Sequence, residues 1–367
     1  MVAPGDGRVS VPDVAGPGRG PHGVPMAIAL TPMLAARYRP RDLERIRAAA
    51  PGSRLVTVSS EGQTDGPLDD VEVLLRGFLS ADAYDRVLSR APRLSWVHSA
   101  SAGVERVLTM AGRDRGLVVT NARGVFSQPI AEYVLMMMLA VSRRLPQLLE
   151  LQRERTWQPL EGTELRDVTV GIVGLGSIGQ AVASLASAFG CRVLATRRRA
   201  EAVFALADEA SALADEADGR GLVGQGTIER VMGPEGLSEL LAESDFIVLA
   251  APLTPATIGM IDEAALARAK PGAWLINVAR GRLVDERALL RALRDGPLGG
   301  AVLDAFREEP LPPSSPFYDL PNVIVTPHTS WSSGRVVDRS IELFCENLRR
   351  FASGTPLLNL VDPAIGY

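Results

Sequence analysis

Cysteine and long apolar runs are nearly absent from this chain of 367 residues. The two cysteines, Cys191 and Cys345, lie far apart in sequence. We therefore expect neither a disulfide framework nor a metal site, and a reducing, cytoplasmic setting fits. The longest apolar run covers residues 133–141 and is much shorter than the roughly 20 residues that span a membrane. A net charge of −4 provides no strong field for nucleic acid or an anionic membrane, which leaves small molecules or proteins as the expected partners.

Lysine is also scarce, because Lys270 is the single lysine among 39 basic residues. In so arginine-rich a chain, an isolated arginine says little about a site. Residues 1–25 are rich in Gly and Pro and lack a basic segment followed by an apolar one, so they do not resemble a secretory signal. We interpret them as a disordered tail, and translation from Met26 is an alternative start.

The chain does contain a regular alternation of short apolar runs with helix-like segments. Its length predicts two domains, and 46% hydrophobic with 22% charged residues is ordinary for a globular protein. The strand-like runs of the first part lie at residues 27–30, 53–58, 71–75 and 94–98. Amphipathic segments separate them, for example at residues 42–50 and 81–90. This alternation predicts an α/β fold with a parallel sheet.

A second series of about six strands begins at Val168. These runs lie at residues 168–173, 192–195, 246–250, 273–278, 301–303 and 323–325. Residues 201–236, between the second and third runs, are too long for an ordinary connection, and we interpret them as a surface insertion, partly helical and partly loose. The helix predicted over residues 129–149 carries apolar residues that suit core or subunit packing. The last helix, over residues 336–351, is expected to pack back on the first domain.

The strand at residues 168–173 leads into a turn with the spacing GxGxxG, formed by Gly174, Gly176 and Gly179. In a dinucleotide site, the first glycine permits a tight turn, the second lets the backbone approach a pyrophosphate, and the third lets helix and strand pack closely. The helix that follows would direct its N–H groups and positive dipole end to the phosphates. A turn in an unrelated α/β protein is the alternative. The strand before the motif and the amphipathic helix after it favour dinucleotide binding.

Three later strand ends carry a set of reactive side chains. Arg280 follows the strand at 273–278, a run of carboxylates that includes Glu309 follows the strand at 301–303, and His328 follows the strand at 323–325. Arginine can bind a carboxylate or polarise a carbonyl, and histidine can pass a proton near neutral pH. His328 is the best candidate among three histidines, since His22 lies in the tail and His98 closes a strand of the first domain. With a nicotinamide, this set suits hydride transfer at a carbonyl beside a carboxylate.

Four motifs, GLGSIG at 174–179, NVARG at 277–281, DAFREEPLP at 304–312 and TPH at 326–328, together resemble the D-isomer-specific 2-hydroxyacid dehydrogenases. The resemblance extends to SAGVE at 101–105 and NARGVF at 121–126, and it covers nearly the whole chain from Met26. It implies reduction of a 2-keto acid to the D-2-hydroxy acid. Arg280 would bind the substrate carboxylate and carbonyl, and His328 would be the acid/base. Glu309, which directly precedes the proline, would pair with His328.

The resemblance also implies which residues line the site. The expected cofactor-binding residues are Gly174, Gly176, Ser177, Ile178, Gly179, Thr196, Arg197, Arg198, Pro252, Val278, Ala279 and Asp304. Asp304 among them would meet the nicotinamide carboxamide. The expected substrate-binding residues are Arg76, Gly77, Ala102, Gly103 and Val104.

The architecture implied by the family is a Rossmann-type doubly wound domain at residues 126–331 and a smaller, discontinuous, flavodoxin-like substrate domain. The substrate domain would take residues 26–125 and 332–367, with hinges near Val125 and Ser332. Members commonly dimerise through the cofactor domain, so we expect a homodimer. Trp331, which stands where the family often has a small residue, would line the substrate pocket or merely pack.

The sequence leaves one alternative for the cofactor and others for the function. Thr196 and Arg197 stand where an NAD-binding chain would place an acidic residue, and no Asp or Glu occurs between Gly174 and Ala200. We therefore expect NADP(H) over NAD(H), with Arg197 or Arg198 pairing with the 2′-phosphate. Relatives that act on formate or phosphite, and family members that sense nucleotides without catalysis, are the competing functions.

Overall fold

The structure, a computed structural model, describes residues 26–33, 38–198 and 228–363. The predicted tail and residues 201–227 of the predicted insertion lie outside the described residues, as does Arg199. The chain divides into two compact units. Unit 1 comprises Met1–Val125 and Gly334–Tyr367, and unit 2 comprises Phe126–Ser333.

Unit 1 contains a parallel sheet with helices between its strands. In chain order its first elements are β1 (Ala27–Leu30), α1 (Pro40–Ala49), β2 (Arg54–Thr57), β3 (Val71–Arg76), α2 (Ala81–Arg90), β4 (Trp96–Ser99), α3 (Met110–Asp114) and β5 (Val118–Thr120). The five described strands pair in the order β2-β1-β3-β4-β5. This order is the flavodoxin-like one, with its switch point between β1 and β3.

Unit 2 opens with two helices and continues as a larger parallel sheet. Its elements are α4 (Ser127–Ser142), α5 (Leu145–Arg153), β6 (Thr169–Val173), α6 (Ser177–Ala188), β7 (Arg192–Thr196), β8 (Arg230–Met232), α7 (Leu237–Glu243), β9 (Phe246–Leu249), α8 (Glu263–Leu266), β10 (Trp274–Asn277), α9 (Glu286–Arg294), β11 (Gly300–Leu303) and β12 (Val323–Val325). The described strands pair in the order β12-β11-β10-β9-β6-β7-β8. The strand order reverses at β6, between β7 and β9, where a doubly wound sheet binds its ligand.

The last helix, α10 (Val336–Ser353), returns to unit 1. Its residues Ile341, Phe344 and Leu348 share a buried cluster with Trp96 and Ile46, which confirms that this helix packs back on the first domain. Together the two sheets confirm the predicted fold class: a Rossmann-type sheet and a smaller flavodoxin-like α/β unit.

Two local expectations were wrong, and strand β5 was not predicted. Strand β8 lies inside the segment interpreted as an insertion, because its two apolar residues leave almost no periodic signal. The helix predicted over residues 129–149 is two helices, and Arg144 between them is left-handed with φ 55°. Pro146 explains the break, because its ring would clash with the carbonyl of Ser142 in a continuous helix. Within residues 26–33, 38–198 and 228–363, no helix combines the length and apolarity needed to cross a membrane.

Candidate active site

The predicted residues of unit 2 follow the carboxyl ends of six parallel strands. They are Gly174 to Gly179 after β6, Thr196 to Arg198 at the end of β7, Pro252 after β9, Val278 to Arg280 after β10, Asp304 and Glu309 after β11, and His328 after β12. Strands in a parallel sheet all end at the same edge. The topology therefore brings these residues to one edge of unit 2.

The glycine-rich turn has the geometry that a dinucleotide needs. Gly174 has φ 101°, and a Cβ there would lie 2.6 Å from the backbone of Ala251. A Cβ on Gly179 would lie 2.2 Å from the carbonyl oxygen of Gly174, so helix α6 and strand β6 are in contact at that point. By contrast, a Cβ on Gly176 would meet no atom of the described residues within 4 Å. Open space beside the first turn of a helix, whose N–H groups lack partners within the helix, fits a bound phosphate.

Asn277, the last residue of β10, fixes the turn that carries Arg280. Its side-chain oxygen accepts from the N–H of Ala279 at 3.1 Å, and its amide nitrogen donates to the carbonyl of Arg280 at 3.1 Å. The next residue must be glycine, because a Cβ on Gly281 would lie 1.9 Å from the carbonyl carbon of Phe306. The turn with Arg280 is thus packed directly against the loop after β11.

That loop carries Glu309, which contacts His328. Oε2 of Glu309 lies 2.8 Å from Nδ1 of His328, and Oε1 accepts from the N–H of Phe306 at 2.9 Å. Because an ionised carboxylate can only accept hydrogen bonds, Nδ1 of His328 carries the proton in this contact. The tautomer is then fixed, and Nε2 remains for proton exchange with another molecule.

The carboxyl group of Glu309 is in an environment that keeps it ionised. Its partial burial would raise the pKa, but the hydrogen bonds from His328 and Phe306 and the charges of His328 and Arg280 outweigh that effect. The pKa of Glu309 therefore lies below its usual value. The side chains of Glu309 and His328 are 37% and 36% exposed, so the pair is accessible to a small molecule.

Asp304 binds the loop that holds His328. It is fully buried and accepts from the hydroxyl of Thr326 at 2.6 Å and from the N–H groups of Thr329 and Ser330 at 2.8 and 2.9 Å. His328 itself has φ 49°, a left-handed conformation that costs a non-glycine residue about 1–2 kcal/mol. The bonds on both sides of His328 hold it in this conformation.

Arg197, directly after β7, has a guanidinium nitrogen that no described residue satisfies. Its Nη1 is buried and has no hydrogen-bond partner among the described residues, while its backbone N–H donates to Met232 in β8 at 2.8 Å. A buried guanidinium N–H without an acceptor is unusual in a folded protein. An anionic group at this strand end would satisfy it.

The predicted substrate residues lie at the strand ends of unit 1, and their side chains are engaged within that unit. Arg76 is buried, donates from Nη2 to the carbonyl of Leu79 at 2.9 Å, and lies with its guanidinium carbon 5.2 Å from the ring centroid of Tyr84. Burial lowers the pKa of Arg76. A Cβ on Gly77 would lie 2.1 Å from the carbonyl oxygen of Pro32.

The second predicted substrate segment, Ala102 to Val104, lies in the loop after β4. The carbonyl of Ala102 accepts from Asn121 at 2.9 Å, and that of Gly103 accepts from Ser101 at 2.6 Å. The side chain of Val104 is buried in the core of unit 1. Only the backbone of Val104 could therefore face a ligand.

Sequence reasoning missed two side chains and left one open. Thr326 contacts Asp304, and the hydroxyl of Tyr133 lies 2.6 Å from Oγ1 of Thr326. Thr326 stands in the TPH motif, but Tyr133 gave no signal, because helix α4 was interpreted as packing alone. Trp331 donates from Nε1 to the carbonyl oxygen of His328 at 2.7 Å, so it supports the histidine whether or not it also lines a pocket.

Comparison with known proteins is consistent with this site. The family described as D-isomer specific 2-hydroxyacid dehydrogenase, NAD binding domain, matches residues 135–218 and 223–330. The glyoxylate reductase of Korarchaeum cryptofilum is 32% identical over 88% of this chain and 90% of its own length. The D-3-phosphoglycerate dehydrogenase of Mycobacterium tuberculosis is 38% identical over 77% of this chain, which spans only 49% of that relative. Among solved structures, an NADPH-dependent glyoxylate/hydroxypyruvate reductase from Sinorhizobium meliloti, in complex with NADP and sulfate, has a TM-score of 0.75 and 30% identity over 93% of this chain and 100% of its own.

Proposed function

Because this chain belongs to the D-isomer-specific 2-hydroxyacid dehydrogenase family, we propose that it reduces a 2-keto acid to the D-2-hydroxy acid through Arg280, Glu309 and His328. The observation that carries the proposal is the 2.8 Å contact between Nδ1 of His328 and Oε2 of Glu309, at the strand edge that also holds Arg280 and the glycine turn. The family is one of NAD(P)-dependent oxidoreductases. The roles of individual residues are our proposal.

Each of the three residues has a distinct role. The bound nicotinamide supplies the hydride. Arg280 holds the substrate carboxylate with its planar fork and polarises the neighbouring carbonyl. His328 gives a proton from Nε2 to the carbonyl oxygen as it gains negative charge, and in the reverse direction it takes that proton back. Glu309 keeps the imidazole oriented and stabilises its charged form, since its own lowered pKa leaves it ionised.

We propose NADP(H) as the preferred cofactor. The chain has no acidic residue between Gly174 and Ala200 to bind the ribose hydroxyls. Nη1 of Arg197, which is buried and has no partner in the described part of the chain, suits a 2′-phosphate. The NADPH dependence of the Sinorhizobium meliloti relative agrees with this choice. Comparable kcat/KM with NADH, or equal loss of both activities in Arg197→Ala, would contradict it.

Glyoxylate, hydroxypyruvate or a bulkier 2-keto acid is the proposed substrate. A glutamate paired with His328 suits a carbonyl that must receive a proton, which argues against the formate or phosphite alternative. Oxidation of NADPH and NADH should be followed by absorbance across a panel of 2-keto acids, with formate and phosphite tested in the oxidative direction. Turnover of a keto acid that is abolished in His328→Asn supports the proposal. Cofactor binding without turnover of any substrate would instead favour the nucleotide-sensing alternative.

We further propose that the protein forms a homodimer through unit 2 and is cytoplasmic. Helix α5 contributes no buried residue, and large apolar side chains are exposed around it: Met136 at 51%, Leu145 at 45%, Leu148 at 40%, Leu149 at 43% and Trp157 at 100%. Such a patch is typical of a subunit interface. Sedimentation velocity should show a dimer that Leu149→Asp dissociates and Ile258→Asp, at a separate exposed position of unit 2, does not. The free, buried cysteines support the reducing location.

A further inference from the structure

The hydroxyl group of Tyr133 in helix α4 is hydrogen-bonded to the loop after β12, which carries His328. Tyr133 is buried, and its hydroxyl oxygen lies 2.6 Å from Oγ1 of Thr326. Oγ1 of Thr326 in turn lies 2.6 Å from Oδ1 of Asp304. These side chains form a continuous chain of hydrogen bonds from Tyr133 to Asp304, and its middle member, Thr326, lies two residues before His328.

The directions of these hydrogen bonds follow from their chemistry. The carboxylate of Asp304 can only accept hydrogen bonds, so the Thr326 hydroxyl donates its one hydrogen to Asp304. The oxygen of Thr326 must then accept the second bond, and Tyr133 must donate it. Burial raises the pKa of Tyr133 to about 12, despite the opposing effect of its bond with Thr326. The tyrosine therefore keeps its proton and remains a donor across the working range of an enzyme.

Asp304 has its acceptor positions directed at the same loop. Besides Thr326 it accepts from the N–H groups of Thr329 and Ser330, which follow His328 in sequence. Three of the roughly four acceptor positions of a carboxylate are thus occupied by residues 326–330. Because the side chain of Asp304 is also fully buried, its principal role in this chain is to shape the loop. Only the one remaining acceptor position of its carboxylate could contact the nicotinamide carboxamide.

We propose that Tyr133 is a positioning residue for the reaction, which acts through Thr326 and Asp304 to hold His328 in its left-handed conformation beside Glu309. The inference rests on the proposed role of His328 as the acid/base. Hydrogen bonds on both sides of a strained residue favour one of its conformations. Cooperativity between successive hydrogen bonds strengthens that preference. Without the tyrosine hydroxyl, the loop would sample conformations in which Nδ1 does not meet Glu309, and the rate of proton transfer would fall.

The test uses variants that remove single hydroxyl groups from the full-length enzyme. In Tyr133→Phe we expect kcat to fall about fivefold to tenfold, the usual effect of one lost hydrogen bond, with KM for the keto acid and the Kd for the cofactor within about twofold of wild type. Thr326→Val should lower kcat further, and Thr326→Ser, which keeps the hydroxyl, should restore it. The double variant Tyr133→Phe with Thr326→Val should be no slower than Thr326→Val alone, since both interrupt the same chain.

Tyr38→Phe is the matched control. The hydroxyl of Tyr38 donates to the carbonyl of Thr31 at 2.8 Å in unit 1, so this variant loses a comparable bond outside the Asp304 network. It should leave kcat unchanged. Equal kcat in Tyr133→Phe and Tyr38→Phe, or effects of Tyr133→Phe and Thr326→Val that multiply in the double variant, would overturn the inference. If His328→Asn kept wild-type kcat, the proposed function itself would fail, and that outcome is separate from either of these.

Discussion

Nδ1 of His328 lies 2.8 Å from Oε2 of Glu309, although the two residues follow different strands. The contact depends on the loop after β11, because that loop carries Glu309 and also carries Asp304, which holds the loop of His328. Glu309 is held by the N–H of Phe306, and His328 is held by the bonds that Asp304 makes on either side of it. A reactive pair on two loops keeps its geometry only when each loop is anchored to the sheet, and here the anchors are residues at or just beyond strand ends.

Replacing Glu309 with glutamine tests the pair directly. The amide retains the shape of the side chain but loses the charge that orients and stabilises the imidazolium, so kcat should fall on the order of 100-fold. Glu308→Gln, at the exposed neighbouring position, is the control and should leave kcat unchanged. Steady-state kinetics with a keto acid found by the substrate panel measures both. A larger loss in the Glu308 variant would mean that the wrong glutamate has been assigned.

The same glutamine variant has a predicted signature in acid stability. The pKa of Glu309 is lower in the folded chain than the ordinary value of 4.5. Its stabilising contribution is therefore complete above pH 4.5 and is lost as the pH falls through the folded pKa. The difference in unfolding free energy between wild type and Glu309→Gln should shrink below pH 4.5, as measured by denaturant titration at several pH values. A difference that grows on acidification would contradict this sign.

Arg280→Lys tests whether substrate binding needs the planar guanidinium group or only a positive charge. Lysine keeps the positive charge but cannot form two parallel bonds to a carboxylate. We expect KM for the keto acid to rise at least about tenfold and kcat/KM to fall by more, which corresponds to roughly 1.4 kcal/mol or more of lost transition-state binding. Arg282→Lys, at an exposed position two residues further on, should behave as wild type. Unchanged KM in Arg280→Lys would remove this residue from substrate binding.

The elements that sequence predicted best are those whose chemistry is local. The residues of the GxGxxG turn are adjacent in sequence, and the strand before them and the helix after them follow from short-range patterns. Strand β8 was missed because its only two apolar residues, Val231 and Met232, give little periodicity. The break at Arg144 comes from the clash of Pro146 with the preceding turn, which the apolar pattern does not reveal. The bond between Tyr133 and Thr326 joins residues 193 positions apart, and no local pattern encodes such a contact. Arg280, Glu309 and His328 could be named from the sequence. The hydrogen bonds among Tyr133, Thr326 and Asp304 could be found only from the fold.

Two alanine substitutions in the glycine-rich turn should separate folding from cofactor binding. In Gly179→Ala the new Cβ would lie 2.2 Å from the carbonyl oxygen of Gly174, so helix α6 must move and stability should fall by about 1–3 kcal/mol. In Gly176→Ala the Cβ meets no described atom within 4 Å, so thermal unfolding should be nearly unchanged. The same Cβ would occupy the space proposed for the pyrophosphate, and the Kd for NADPH should rise at least about tenfold. Wild-type affinity in a stable Gly176→Ala variant would mean that the dinucleotide does not approach this turn.

Buried His98 in unit 1 should give the stability of the protein a separate pH dependence. The ring is fully buried, Nδ1 lies 2.7 Å from Oγ1 of Thr120, and burial lowers the pKa to about 3 from the ordinary value of 6.5. Between these values the unfolded chain binds a proton that the folded chain does not, so stability is full above pH 6.5 and declines as the pH falls towards 3. Each pH unit well below 6.5 should lower the free energy of unfolding by about 1.4 kcal/mol.

His98→Asn tests this pH dependence. The asparagine can still bond Thr120 but does not titrate, so this part of the slope of unfolding free energy against pH should disappear. Denaturant titrations of both proteins from pH 7.5 to about 4.5 measure the difference. Parallel slopes would mean that His98 takes up its proton in the folded chain.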